Sequence, residues 1–185
     1  MTYLFKTASV VLVTFLLFTN CKLVSDDGND SQGLNSLKLK SEEASGWVES
    51  ALFDFNVSNC TKDAGLNGGA QKYIEKGLVE GFKQTFSKSS FNFILIVIDF
   101  GNSSNANAMF SKMHTEEVFD EIIIDGFSEN EAIIDNSPLS GVDAYAHFGK
   151  YYFELHFTGY SKKADAKNAA SSFLELFRNK VSNLK

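Results

Sequence analysis

One proline, one tryptophan, two cysteines and three histidines in 185 residues exclude several kinds of protein. Two cysteines cannot build a disulfide scaffold, so the fold must be stabilised by its core. The histidines lack the His-Glu-x-x-His spacing of a zinc protease: His114 is followed by Thr115-Glu116-Glu117 and reads as a surface histidine at a helix end. The loop Gly65-Leu66-Asn67-Gly68-Gly69 has neither phosphate-loop nor dinucleotide spacing, no serine sits in a Gly-x-Ser-x-Gly elbow, and there is no Cys-x-x-Cys pair. No cofactor is implied. Basic clusters are absent and the net charge is −6, which leaves nothing to neutralise phosphates and excludes nucleic acid as an expected partner. What is plentiful is phenylalanine, eighteen in all, the material of an aromatic interior.

The N-terminus carries a different kind of information. Lys6 precedes the uncharged run Ala8–Phe18, and Phe18-Thr19-Asn20 leads into Cys21. A positive residue before an apolar run of this length is the layout of an export signal, with the run too brief to span a bilayer as a helix. The cysteine at its end resembles a bacterial lipoprotein precursor, in the looser form found in spirochaetes. Phe18 and Asn20 depart from the commoner pattern of leucine followed by small residues. The resemblance implies that residues 1–20 are removed and that Cys21 is acylated, making the lipid bilayer a partner; one chain binds only marginally, so the several chains of such lipoproteins would be needed. Plain secretion with Cys21 as a free thiol, or an uncleaved anchor, are the alternatives. With Cys21 acylated, Cys60 has no partner in the chain; otherwise a Cys21–Cys60 bridge is open. Residues 21–45 are rich in Asp, Asn, Ser and Gly and read as a flexible tether carrying the lipidated cysteine.

Residues 46–185 read as a single α+β domain, a mainly antiparallel sheet of about five or six strands with two main helices, 72–87 and 165–181, packed on it. Phe53, Phe55 and Val57 alternate as in a strand. Ile74, Leu78 and Phe82 recur every four residues and predict the first helix, with Gly77 and Gly81 inside it where the helix approaches the sheet. The run 91–100, FNFILIVIDF, is a central strand covered on both sides. Ser103 or Ser104 caps a short helix with Ala106, Met109, Phe110 and Met113 as its stripe, and two short strands follow at Val118–Ile124 and Glu131–Asp135. Gly149-Lys150 fits a two-residue type II′ turn. Pairing Phe148 with Tyr151 then collects Val142, Ala144, Ala146, Phe148, Tyr151, Phe153, Leu155 and Phe157 on one face. The last helix, capped by Ser161 or Asp165, buries Ala166, Ala169, Ala170, Phe173, Leu174, Phe177 and Val181. Two passages, 97–110 and 155–173, each run strand, glycine, then alanine-bearing helix.

The same hairpin register gathers Asp143, Tyr145, His147, Tyr152, Glu154 and His156 on its other face. This is the candidate binding face. It reads either as the half-exposed side of an ordinary antiparallel sheet or as a surface for a small ligand or an envelope protein. A metal held by His156 with Asp143 is a further option, but His147 lies too many rows away to join it. No catalytic constellation is present. The expectation is therefore a non-enzymatic, lipid-anchored envelope or surface protein on the bacterial membrane that binds a protein or small ligand. A hydrolase or metal-dependent enzyme using the 143–156 face, a purely structural lipoprotein, and a soluble secreted or periplasmic form remain as alternatives.

Overall fold

The structure is a computed structural model, and it describes residues 30–62, 65–66 and 69–184. Cys21 and residues 1–20, the expected export signal, lie outside the described residues. The elements are α1 (Asp30–Leu37), β1 (Val48–Asn56), α2 (Ala70–Ile74), β2 (Glu80–Lys88), β3 (Phe91–Asp99), α3 (Ser103–Glu117), β4 (Glu121–Ile123), β5 (Ala132–Asp135), β6 (Val142–Phe148), β7 (Tyr151–Thr158) and α4 (Lys163–Ser182). The seven strands form one sheet in the order β1-β2-β3-β7-β6-β5-β4, with every neighbouring pair antiparallel. Two meanders therefore meet at β3 and β7. The fold is α+β, an antiparallel sheet with helices on both sides.

Residue alternation divides the sheet into two faces. The phenylalanine face carries Phe82, Phe86, Phe93, Leu95, Val97, Phe153, Leu155 and Phe157, all buried, under α4 and the N-terminal segment. Its rings stack closely: Phe93 lies 4.5 Å from Phe157 and 4.7 Å from Phe173, and Phe153 lies 5.1 Å from Phe177. The hairpin register is the expected one, Val142 opposite Phe157 through Phe148 opposite Tyr151, and the turn places Gly149 at φ 58°. Its apolar side meets α4. The opposite, tyrosine face carries Ile96, Ile98, Tyr145 and Tyr152 beneath Ala106, Met109, Phe110 and Met113 of α3 and Tyr73 of α2. β3 is thus covered on both sides over most of its length.

Three expectations are corrected. The helix over 72–87 does not form: α2 ends at Ile74, Gly77 turns the chain at φ 90°, and 80–88 is strand β2. The four-residue spacing of Phe82 and Phe86 fits a strand as well as a helix, because four is two strand periods. Gly81 does mark a close approach, between strands: a Cβ there would lie 2.5 Å from the Val97 carbonyl oxygen and 2.6 Å from the Phe55 ring. Second, the tether does not extend to residue 45. Leu34, Leu37, Leu39 and Ala44 are buried in the core, and Gln84 accepts a bond from the Leu39 N–H (2.9 Å) and donates to its carbonyl (3.2 Å). The segment is a strap running down the phenylalanine face to Trp47, which packs edge-on against Phe93 and Phe157. Third, Asn102, rather than a serine, caps α3 by accepting from the Asn105 N–H, and the residue before α4 is Lys162, with no side-chain cap.

The two strand–glycine–helix passages end differently: α3 packs on the tyrosine face and α4 on the phenylalanine face. Cys60 is a buried free thiol.

Candidate functional site

Sheet register and the arrival of α2 together build a polar cluster beneath the tyrosine face. Glu154 faces Tyr145 across the β6–β7 ladder and Ile96 across β3; His156, two residues on, faces Asp143 and Ile94. Glu154 is buried, and its Oε1 accepts hydrogen bonds from the hydroxyls of Tyr73 (2.6 Å) and Tyr152 (2.9 Å). The His156 imidazole bridges two carboxylates, with Nδ1 2.8 Å from Asp143 Oδ1 and Nε2 3.4 Å from Glu154 Oε2. Tyr145 sets its ring edge-on to that imidazole, centroids 6.4 Å apart. A buried carboxylate needs such partners, since desolvation without them costs several kcal/mol.

The electrostatics follow from these contacts. Burial disfavours the imidazolium, but the bonds to Asp143 and Glu154 and their charges outweigh it and push His156 up to about 10. Burial likewise opposes ionisation of Glu154, yet the bonds from His156 and Tyr73 hold it below the ordinary carboxylate range. Desolvation and the Glu154 charge drive the Tyr73 and Tyr152 hydroxyls far upward, so both act as neutral donors. At neutral pH the cluster is a fixed ion triad.

Both imidazole nitrogens lie at hydrogen-bond distance from carboxylates, Nδ1 from Asp143 and Nε2 from Glu154. Among the described residues no group of three or more His, Cys, Asp or Glu converges as metal ligands. His147 stands apart: it faces Tyr152, two rows from Asp143. Its Nε2 lies 2.8 Å from the Asn130 carbonyl and therefore carries the proton, while its ring lies against Phe110 (5.3 Å). His114 reaches Glu121 at 3.0 Å near the end of α3.

Of the six residues on the expected binding face, Tyr145, Tyr152 and Glu154 are buried and Asp143, His147 and His156 half-buried, so half of that face is closed off beneath α2 and α3. This corrects the reading of a half-exposed sheet. What remains open is its lower edge. Asp143 and His156 are each 27% exposed at the side chain, Ile94 and Thr85 are half-buried, and Asn92 and Thr158 are exposed. They form a ledge whose floor is the ion triad. Tyr73, which completes the Glu154 site, escapes sequence reasoning because it comes from outside the sheet, 81 positions away.

Two other carboxylates are structural. Asp135 is buried and ties β4 to β5, accepting from the N–H groups of Phe119, Asp120 and Ser137 and from the Ser137 hydroxyl; burial opposes its ionisation but these bonds lower it. Asp99 is held by Lys150 at 2.8 Å and caps the Gly101 N–H at 2.7 Å.

A seven-stranded antiparallel sheet with helices packed on both faces defines the fold as α+β. No protein-family model and no curated protein matches the chain. Among solved structures, the extracellular domain of PknH from Mycobacterium tuberculosis is similar in fold. Its TM-score is 0.56 at 13% identity, over 80% of this chain and 96% of that one. Among the described residues no helix is long and apolar enough to cross a membrane.

Proposed function

We propose that the protein is an exported domain, held at the bacterial envelope or cell surface through an acylated Cys21, that binds a protein or small ligand without catalysis. The observation that carries the binding reading is the ledge: α2 and α3 seal the upper rows of the tyrosine face and leave the Ile94–His156–Asp143 row open, with its charges already paired and immobile. Satisfied polar groups beside the half-buried Ile94 favour recognition over proton transfer. Asp143 Oδ1 is taken by His156, which leaves Oδ2 to meet a donor from the ligand. The export signal and Cys21 support the location, as does the shared fold with a domain described as extracellular.

Two measurements test the two halves. Intact mass of the protein from its native membranes should equal the chain from Cys21 plus acyl groups, with the added mass absent in Cys21→Ser; an unmodified mature chain overturns the anchor. For the ledge, a photo-reactive residue at Asn92 should form an adduct in intact cells that Asp143→Ala abolishes. Adducts at exposed Ser172 on α4 but none at Asn92 would move the binding surface elsewhere.

A further inference from the structure

We infer that β4 is a docking edge: another protein adds an extended segment to it as an eighth strand, with lysine or arginine at every second position. This surface is separate from the His156 ledge and does not depend on Cys21. β4 is the last strand of the sheet, and its ladder shows which backbone groups look outward. Asp120 gives its carbonyl to the Asn136 N–H at 2.8 Å, one step before the Glu121–Asp135 pair. Antiparallel bonding alternates, so Ile122 faces β5, and the N–H and carbonyl groups of Glu121 and Ile123 face the open edge. The approach to that edge is fixed, because Asp135 accepts from the N–H groups of Phe119 (3.4 Å) and Asp120 (2.9 Å). A preset edge loses little entropy when a strand joins it. Two apolar side chains stand ready beside it. Phe119 is 80% exposed, the only aromatic among the exposed large apolar side chains of the described residues, and Ile123 is 56% exposed.

The opposite edge is built differently. β1 carries a bulge between Glu49 and Ala51, and Glu49 and Asp54 are tied to Gln84 and Lys38. A bulge of this kind blunts an edge against further pairing. Charge then selects the occupant of β4. Between Lys112 and Lys150 the chain carries nine carboxylate residues and no lysine or arginine. Asp120, Glu121, Asp125 and Glu129 are exposed. His114 meets Glu121 at 3.0 Å, whereas Asp125 and Glu129 have no partner among the described residues. A second copy fits at neither edge: its β4 would bring the same carboxylates, and its β1, VESALFDFN, has two carboxylates and no cation. A metal ion fits no better, since among the described residues no group of three or more His, Cys, Asp or Glu converges. The carboxylates are strung along the edge, which suits a strand whose cations recur on one side at every second residue.

The test titrates the full chain in detergent with the acetylated, amidated peptide Thr-Lys-Val-Lys-Val-Lys-Thr. Amide exchange should slow several-fold at Glu121 and Ile123 and stay unchanged at Leu52 on β1. Phe119→Ser should weaken peptide binding about tenfold, the loss of one apolar anchor. The double variant Asp125→Lys with Glu129→Lys, which breaks no contact within the fold, should weaken it several-fold and reduce its salt dependence; circular dichroism establishes that each variant is folded. The same peptide with glutamate for lysine, or with alternate backbone nitrogens methylated, should bind far more weakly. Equal binding of the methylated peptide would mean attraction by charge alone and would overturn strand addition. Equal binding of the glutamate peptide, protection at β1 instead of β4, or no binding at about 1 mM peptide would each overturn the proposal. So would a dimer in sedimentation that Phe119→Ser abolishes, which would make a second copy the occupant.

Discussion

The two faces of one sheet are stabilised by different physics, although each strand contributes alternate residues to both. On the phenylalanine face, rings from β3, β7 and α4 stack at 4.5–4.7 Å around Phe93, and burial of apolar area supplies the energy. On the tyrosine face, the carboxylate of Glu154 is buried on the strand row shared with Ile96 and is tolerable only because two hydroxyls and an imidazolium satisfy it. An apolar core loses energy in proportion to what is removed. A polar cluster fails when any one member is taken away, since the others are left buried and unpaired.

The contrast is sharpest in four experiments. Phe153→Ala should destabilise by about 3–5 kcal/mol in denaturant unfolding, the cost of removing a fully packed aromatic ring; less than about 1 kcal/mol would mean that the hairpin does not form this core. Glu154→Gln, nearly isosteric, should still cost about 3 kcal/mol, because it leaves the His156 cation with one partner. Its signature is in the pH dependence. His156 is raised to about 10 from an unfolded value of 6.5. Its contribution is therefore complete below about pH 6.5 and is lost as pH rises through about 10. Glu154 is lowered, so its contribution is present above its unfolded value near 4.5 and is lost on acidification. Wild-type stability should thus decline on the alkaline side, and in Glu154→Gln that decline should be smaller and finish at lower pH. Equal profiles would dissolve the triad.

Gln84→Leu probes the polar contact on the phenylalanine face. It strands the Leu39 N–H and carbonyl beneath the strap and should cost about 1–3 kcal/mol, with faster amide exchange across residues 37–44 as the local readout. Leu139→Ser belongs to neither face: at 99% exposure it should shift stability by no more than about 0.5 kcal/mol. A larger effect would mean that Leu139 is covered in solution.

Where the chain's periodicity admits one solution, the sequence suffices. The 142–158 hairpin could be read to the residue because a one-step slip would mix alanines and phenylalanines with histidine and glutamate. The central strand and the α4 stripe were equally legible, the first from its unbroken β-branched run and the second from apolar residues at three- and four-residue spacing. The polar face was legible as a set, since Asp143, Tyr145, Glu154 and His156 do share it. Its depth was not, because nothing local to the hairpin tells that α2 and α3 will lie over it.

The sequence by itself determined the hairpin register, the α+β class and the side of the sheet on which each hairpin residue falls, since these follow from alternation along a single segment. Only the tertiary structure decided that 80–88 is a strand, that 34–44 is a buried strap and that Glu154 is sealed by Tyr73. Ile74, Leu78, Phe82 and Phe86 are spaced for a helix and a strand alike, so the choice fell to hydrogen bonds with β1 and β3, partners distant in the chain. Leu34, Leu37 and Leu39 sit in a polar segment with little reason to order alone. They order because an aromatic surface built by β2, β3 and α4 is there to receive them.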